Sequence, residues 1–194
     1  MIERGFDRVR TTLESALKVP FAVVVSSALP KDGKTEIAIG AARAFANAKF
    51  RTLVVDANPA SPAVGPMLGL GELALPSKLS EDQLTPVTPP ADKNLSAVSV
   101  AAYRMLDEAA PALVRMFVND LRAKYEVVIF DTCDVFSGPF VPVCAAACDG
   151  VVLAVRYARN PEPEDDRVVS TLEGMGARII GSVPTRFPDD PRFG

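Results

Sequence analysis

The chain contains no histidine, and only three cysteines (Cys133, Cys144, Cys148) and three tyrosines (Tyr103, Tyr125, Tyr157) in 194 residues. Without histidine there is no Ser/His/Asp triad, no Cys/His pair and no histidine-ligated metal centre. Carboxylates, lysines, hydroxyls, thiols and a bound metal are what remain for chemistry. Cys144 and Cys148 stand four apart on an expected helix and so share a face. A zinc site would need two further ligands that no nearby pattern supplies, so the cysteines read as small buried hydrophobes. No apolar run reaches the roughly 18 residues of a membrane span. The start Met1-Ile2-Glu3-Arg4-Gly5-Phe6-Asp7 is not a secretory signal, which makes the cytoplasm the expected compartment. A net charge of −3 and a pI near 5.1 argue against a chain whose main task is coating nucleic acid.

What is present is a soluble-protein composition, 48% hydrophobic and 23% charged, in a length that suits one domain, 1–194. Its most informative stretch runs from Phe21 to Thr35. Phe21-Ala22-Val23-Val24-Val25-Ser26 reads as a buried strand. The loop Ser27-Ala28-Leu29-Pro30-Lys31-Asp32-Gly33 then leads into Lys34-Thr35 and an Ala-rich helix. That order is the one a phosphate-binding loop needs: backbone N–H groups and a helix N-terminus converge on one spot, and a lysine and a hydroxyl complete the cradle. Two departures stand out. Ala28 occupies the first glycine position of G-x-x-x-x-G-K-[ST], and Glu36 follows the threonine.

Elsewhere the apolar spacing of Phe6, Val9, Leu13 and Leu17 predicts a helix over 2–17, and Ile37, Ala41, Phe45 and Ala48 mark the helix after the loop. Thr52–Val55 is a short buried strand ending at Asp56. The segment 57–90 holds seven of the seventeen prolines and is expected to be mostly loop with short helical pieces. Leu95–Val100 predicts a strand. Met105–Lys124 predicts a helix with Pro111 inside its first turns, and Val127–Phe130 a strand ending at Asp131. Val151–Val155 predicts a strand, Glu164–Glu173 a polar helix and Arg178–Val183 a last strand. Strands that are apolar throughout, alternating with helices, indicate an α/β fold: a doubly wound, mostly parallel sheet with helices on both faces.

In such a sheet ligands bind beyond the carboxyl ends of the strands, where the 27–35 loop, Asp56 and Asp131 would converge. Pro30, Lys31, Asp32, Gly33, Lys34, Thr35 and Glu36 are the candidate nucleotide-binding residues. Thr35, Asp131 and Asp56 are the candidate Mg²⁺ ligands. Lys34 would offset charge on the β- and γ-phosphates, and Asp56 would orient or deprotonate the attacking group, making these two the candidate catalytic residues. Each piece also has a plain structural explanation, since an aspartate after a strand is often only a cap or turn residue. Their conjunction, in order and each at a strand end, favours nucleotide binding.

Several segments then resemble one family. The helix Phe6-Asp7-Arg8-Val9-Arg10-Thr11-Thr12-Leu13, the loop Ser26–Thr35 and Leu53-Val54-Val55-Asp56-Ala57-Asn58 are among them. So are Tyr125-Glu126-Val127-Val128-Ile129-Phe130-Asp131-Thr132, Asp149–Arg156 and Gly181-Ser182-Val183. Together they resemble the MinD/ParA group of deviant Walker A P-loop ATPases and, within it, the cytoplasmic domain of bacterial tyrosine kinases of capsule and exopolysaccharide synthesis. The resemblance implies a P-loop NTPase fold, ATP and Mg²⁺ as cofactors, and a membrane-bound polysaccharide copolymerase as partner. It also implies assembly into homo-oligomeric rings and a place at the inner membrane through that partner.

The sequence departs from this family at identifiable positions. Leu29 stands where MinD/ParA proteins carry their signature lysine, and Lys31 replaces a glycine of the kinase loop. Asn58 and Ala60 stand for an aspartate and an arginine, and Cys133-Asp134 for Pro-Pro. The ring-contact triplet reads Arg4, Asp7, Arg10. The ending Pro188-Asp189-Asp190-Pro191-Arg192-Phe193-Gly194 holds no tyrosine cluster, so tyrosine autophosphorylation is not expected. The expected function is an ATP-binding, kinase-like regulator of polysaccharide synthesis or export. The alternative is a non-catalytic adaptor binding a kinase or copolymerase. A ParA-like positioning ATPase is disfavoured by Leu29 and by the acidic pI.

Overall fold

Every residue of the first strand, β1 (Phe21–Ser27), is buried, and its side chains alternate between two cores. Ala22 and Val24 enter one apolar cluster, while Phe21, Val23 and Val25 enter the other. Burial on both sides favours apolar residues, which explains the unbroken hydrophobic run Phe21–Val25, while the buried Ser26 and Ser27 hydroxyls donate to the Cys133 and Leu29 carbonyls. The computed structural model describes residues 2–102, 106, 110–157, 160 and 162–185.

The elements in order are α1 (Ile2–Ala16), β1, α2 (Lys34–Asn47), β2 (Thr52–Ala57), a single-turn α3 (Val64–Met67), β3 (Leu95–Ser99), α4 (Pro111–Lys124), β4 (Val127–Thr132), α5 (Phe140–Ala147), β5 (Gly150–Arg156), α6 (Pro163–Gly174) and β6 (Ile179–Thr185). Six strands form one sheet in the order β3-β2-β4-β1-β5-β6, each pair parallel. The α/β architecture expected from the sequence, a doubly wound parallel sheet with helices on both faces, is what the chain adopts. The 57–90 segment holds α3 and a 3₁₀ turn at Glu81–Gln83, and it returns to the β3 edge through one antiparallel bridge, Val87 to Ala97.

Helices cover both faces. Val114, Phe117, Val118 and Leu121 of α4 join Phe140, Val141 and Cys144 of α5 and Val168 and Leu172 of α6 in one cluster. Ile37, Ala41 and Phe45 of α2 join Leu13 and Leu17 in the other. None of the described helices is long and apolar enough to cross a membrane.

The helix at 105–124 needs correction. It starts at Pro111, because Ala110 is extended (φ −62°, ψ 142°) and the proline occupies the first helical position. A residue before proline is driven out of the α region, so Pro111 opens the helix and cannot lie within it. Residues 105 and 107–109 of that expectation lie outside the described residues, as do Tyr103 and the tail after Thr185.

Gly40 lets α1 lie close on α2. A Cβ there would sit 2.3 Å from the Phe6 ring. Gly40→Val is therefore expected to push Phe6 off α2, lowering the melting temperature by several degrees through an overpacking cost of roughly 1–3 kcal/mol. Limited proteolysis should then cut between α1 and β1. An unchanged melt and an unchanged digestion pattern would show that α1 does not depend on this contact.

Candidate functional site

The carboxyl ends of β1, β4 and β2 lie side by side. In the register, Val25 pairs with Asp131 and Asp131 with Asp56, so the two aspartates sit on neighbouring strands about 4.8 Å apart. Beyond β1 the chain turns through residues 28–33 with left-handed backbone at Lys31 (φ 63°) and Gly33 (φ 84°). Gly33 caps α2 with no side chain of its own. The first N–H groups of α2 have no intrahelical acceptors and so face the anion position in front of the loop.

Any residue other than glycine would be strained at 33. Besides the positive φ, an added Cβ would lie 2.7 Å from Glu36 Oε2 and 3.1 Å from Thr185 Cβ. Glu36, exposed on the first turn of α2, thus folds back beside the loop and places a carboxylate there. Pro30 and Lys31 are exposed, whereas Asp32, Gly33 and Lys34 are buried.

The Lys34 ammonium donates to Ser27 Oγ at 3.0 Å and to the Leu29 carbonyl at 3.4 Å. Burial lowers its pKa, and the nearby Asp134, Asp131 and Asp32 carboxylates oppose that shift. The Leu29 side chain is half-buried against the apolar core, so position 29 brings no cation to the loop.

Thr35 Oγ1 donates to Asp131 Oδ2 at 2.8 Å. Asp131 is fully buried, and its Oδ1 has no hydrogen-bond partner among the described residues. Burial pushes the Asp131 carboxyl up to about 7, with Asp56 adding to the shift while Thr35 and Lys34 oppose it. A buried carboxylate oxygen without a partner, beside a hydroxyl, suits Mg²⁺, which takes one or two protein oxygens and completes its shell with water and phosphate. Among the described residues no group of three or more Cys, Asp or Glu side chains is arranged to hold a metal ion by itself.

Asp56 is placed differently. Its Oδ1 accepts the Asn58 N–H at 3.2 Å and its Oδ2 the Val64 N–H at 3.0 Å. Burial raises its pKa, and these backbone donors oppose the rise. The structural alternative weighed for an aspartate at a strand end therefore applies here: Asp56 orders the turn into α3, whatever else it does. Asn58 is buried next to it, with its Oδ1 unpartnered among the described residues.

Sequence reasoning missed Asp134. It is buried, accepts the Ser137 hydroxyl at 2.5 Å and heads the carboxylates that act on Lys34. The sequence marked it only as a departure from Pro-Pro, three residues beyond Asp131. Cys144 is buried in α5 and Cys148, which caps that helix, is half-buried; both are free thiols. A groove of about 1290 Å³ lies elsewhere, between α1, α2 and β6, and reaches the site only at Glu36 and Thr185. We locate the site by its converging polar groups, because that groove contains neither Lys34 nor the two aspartates.

No protein-family model matches the chain. The succinoglycan biosynthesis transport protein ExoP of Rhizobium meliloti is 27% identical over 172 residues, 83% of this chain and 22% of that protein. The chain thus spans about a fifth of the length of this relative. Among solved structures, the kinase domain of the Escherichia coli tyrosine kinase ETK matches with a TM-score of 0.78 at 16% identity, covering 97% of this chain and 78% of that one. The cell division protein MinD of Aquifex aeolicus matches with a TM-score of 0.68 at 18% identity, covering 87% and 70%. The resemblance drawn from the sequence is thereby shown, as a likeness of sequence to ExoP and of fold to bacterial tyrosine kinase domains and MinD.

Proposed function

We propose that residues 1–194 act as one P-loop domain that binds Mg-ATP and serves as a kinase-like regulator of polysaccharide synthesis or export. The observation that carries this reading is the Thr35–Asp131 contact beside a buried carboxylate oxygen that no donor among the described residues satisfies. It sits one strand from the loop whose N–H groups and lysine would take the phosphates. In this reading Lys34 leaves Ser27 and the Leu29 carbonyl to contact the β- and γ-phosphates, and the first turn of α2 receives the remaining charge. Thr35 and Asp131 would hold Mg²⁺, which neutralises charge developing between the phosphates. Asp56, fixed by two backbone N–H groups, would orient the attacking group.

The likeness to ExoP, a transport protein of succinoglycan biosynthesis, supports a polysaccharide role. A copolymerase at the inner membrane is then the proposed partner and a second copy of the chain a further one. Arg10 of α1 already pairs with Asp7 and Glu14 within its own helix.

A non-catalytic adaptor is the second reading, and Glu36 favours it, because its carboxylate beside Gly33 repels phosphate. ATP turnover by the native protein and by Asp56→Asn, run with co-purification of a copolymerase, separates the two. Turnover that Asp56→Asn abolishes while ATP binding persists supports the enzyme. ATP binding without turnover, together with copolymerase capture, supports the adaptor. Absence of ATP binding, turnover and capture overturns both.

A further inference from the structure

The loop is held from the side opposite its metal-facing residues. β1 lies between β4 and β5, so Thr35 and Asp131 occupy the β4 side while the ends of β5 and β6 meet the loop from the other. There Arg156 Nη2 donates to the Lys31 carbonyl at 3.3 Å and pairs with Asp32 Oδ1 at 3.4 Å. Thr185 Oγ1 donates to the Asp32 carbonyl at 2.5 Å, with the Val155 carbonyl further off at 3.4 Å. Thr185 Cβ and Cγ2 also close over Gly33. Three consecutive loop residues, Lys31, Asp32 and Gly33, are therefore fixed by two side chains from strand ends.

This fixation has a physical purpose. Lys31 is a non-glycine residue at positive φ, a conformation that persists only where its surroundings over-determine it. The Asp32 carboxylate is buried at 1% exposure, where a charge requires compensation, and Arg156 at 3.4 Å supplies part of it beside Lys34. Thr185 has a single hydroxyl proton, and the Asp32 carbonyl takes it. Arg156 itself is 43% exposed and reaches the loop with one nitrogen.

We propose that Arg156 and Thr185 are positioning residues that hold residues 31–33 in their phosphate-receiving shape, so that affinity for the phosphate chain is set in part from the β5–β6 side. The proposal rests on the nucleotide reading of the same site.

The test uses the full chain and its Arg156→Gln, Arg156→Lys and Thr185→Val variants, with Mg-ADP and Mg-pyrophosphate titrated separately. Amide hydrogen exchange of residues 31–34 is followed in the ligand-free proteins. Arg156→Gln is expected to weaken both ligands alike by roughly tenfold, the size of one lost charge-assisted hydrogen bond. It should also speed exchange across 31–34. Thr185→Val should act in the same direction, and Arg156→Lys should recover part of the loss. Unchanged affinities and exchange in both Arg156→Gln and Thr185→Val would overturn the proposal. So would weakened Mg-ADP with unaffected Mg-pyrophosphate, which would place Arg156 on the nucleoside. Native protein that binds neither ligand would instead overturn the nucleotide reading, and this inference with it.

Discussion

Lys34→Ala is expected to weaken Mg-ATP binding by about a hundredfold or more, the largest effect of any single substitution at the site. Lys34 is the only buried cation among the described residues, and in the nucleotide reading it forms two charge-assisted bonds to phosphate, each worth roughly 1.5–3 kcal/mol. Its loss also strips compensation from Asp134, Asp131 and Asp32, the carboxylates that act on it. Like charge would then face the phosphates with no cation between them. Isothermal titration at fixed Mg²⁺ measures the change, and a thermal melt of the variant checks that the fold persists. Affinity within a few-fold of native would show that the lysine does not contact the ligand.

Asp131→Asn should have opposite effects on stability and on ligand binding. A carboxyl whose pKa is higher folded than unfolded binds its proton more tightly when folded. The stability it contributes is therefore greatest below its ordinary value of 3.8, falls as pH rises, and levels off above about 7. Ionised Asp131 thus opposes folding by on the order of a few kcal/mol in metal-free protein at pH 8. Asparagine carries no charge and still accepts the Thr35 hydroxyl. The metal-free variant is expected to melt above native at pH 8, with the difference vanishing below about pH 4. Its ATP affinity should no longer rise when Mg²⁺ is added. A variant that melts below native at pH 8, or that keeps a full Mg²⁺ response, would contradict this placement of Asp131.

The parallel sheet was legible because β1 from Phe21 to Val25, β2 from Leu53 to Val55 and β4 from Val127 to Phe130 are unbroken apolar runs, as strands buried on both faces are. The loop was legible because Gly33-Lys34-Thr35 stands between such a strand and an Ala-rich helix. Contacts between distant segments were not. Nothing local marks Thr185 as a partner of Asp32, 153 residues away, or Arg156 as its counter-ion. Asp134 was read only as a departure from Pro-Pro, since its closeness to Lys34 depends on how the chain leaves β4. Pro111 was given too weak a role: its effect on Ala110 is local and could have fixed the start of α4. Asp56 was offered a metal or catalytic role with a turn residue as the plain alternative, and only the geometry of 58–64 shows that it orders the turn.

The central claim is that β1, α2 and the ends of β2 and β4 form a Mg-nucleotide cradle. Titration of the native protein with ATP, with and without Mg²⁺, tests it most directly. The account predicts saturable binding below millimolar ATP that depends on Mg²⁺. No saturable binding at millimolar ATP with Mg²⁺ present would contradict it.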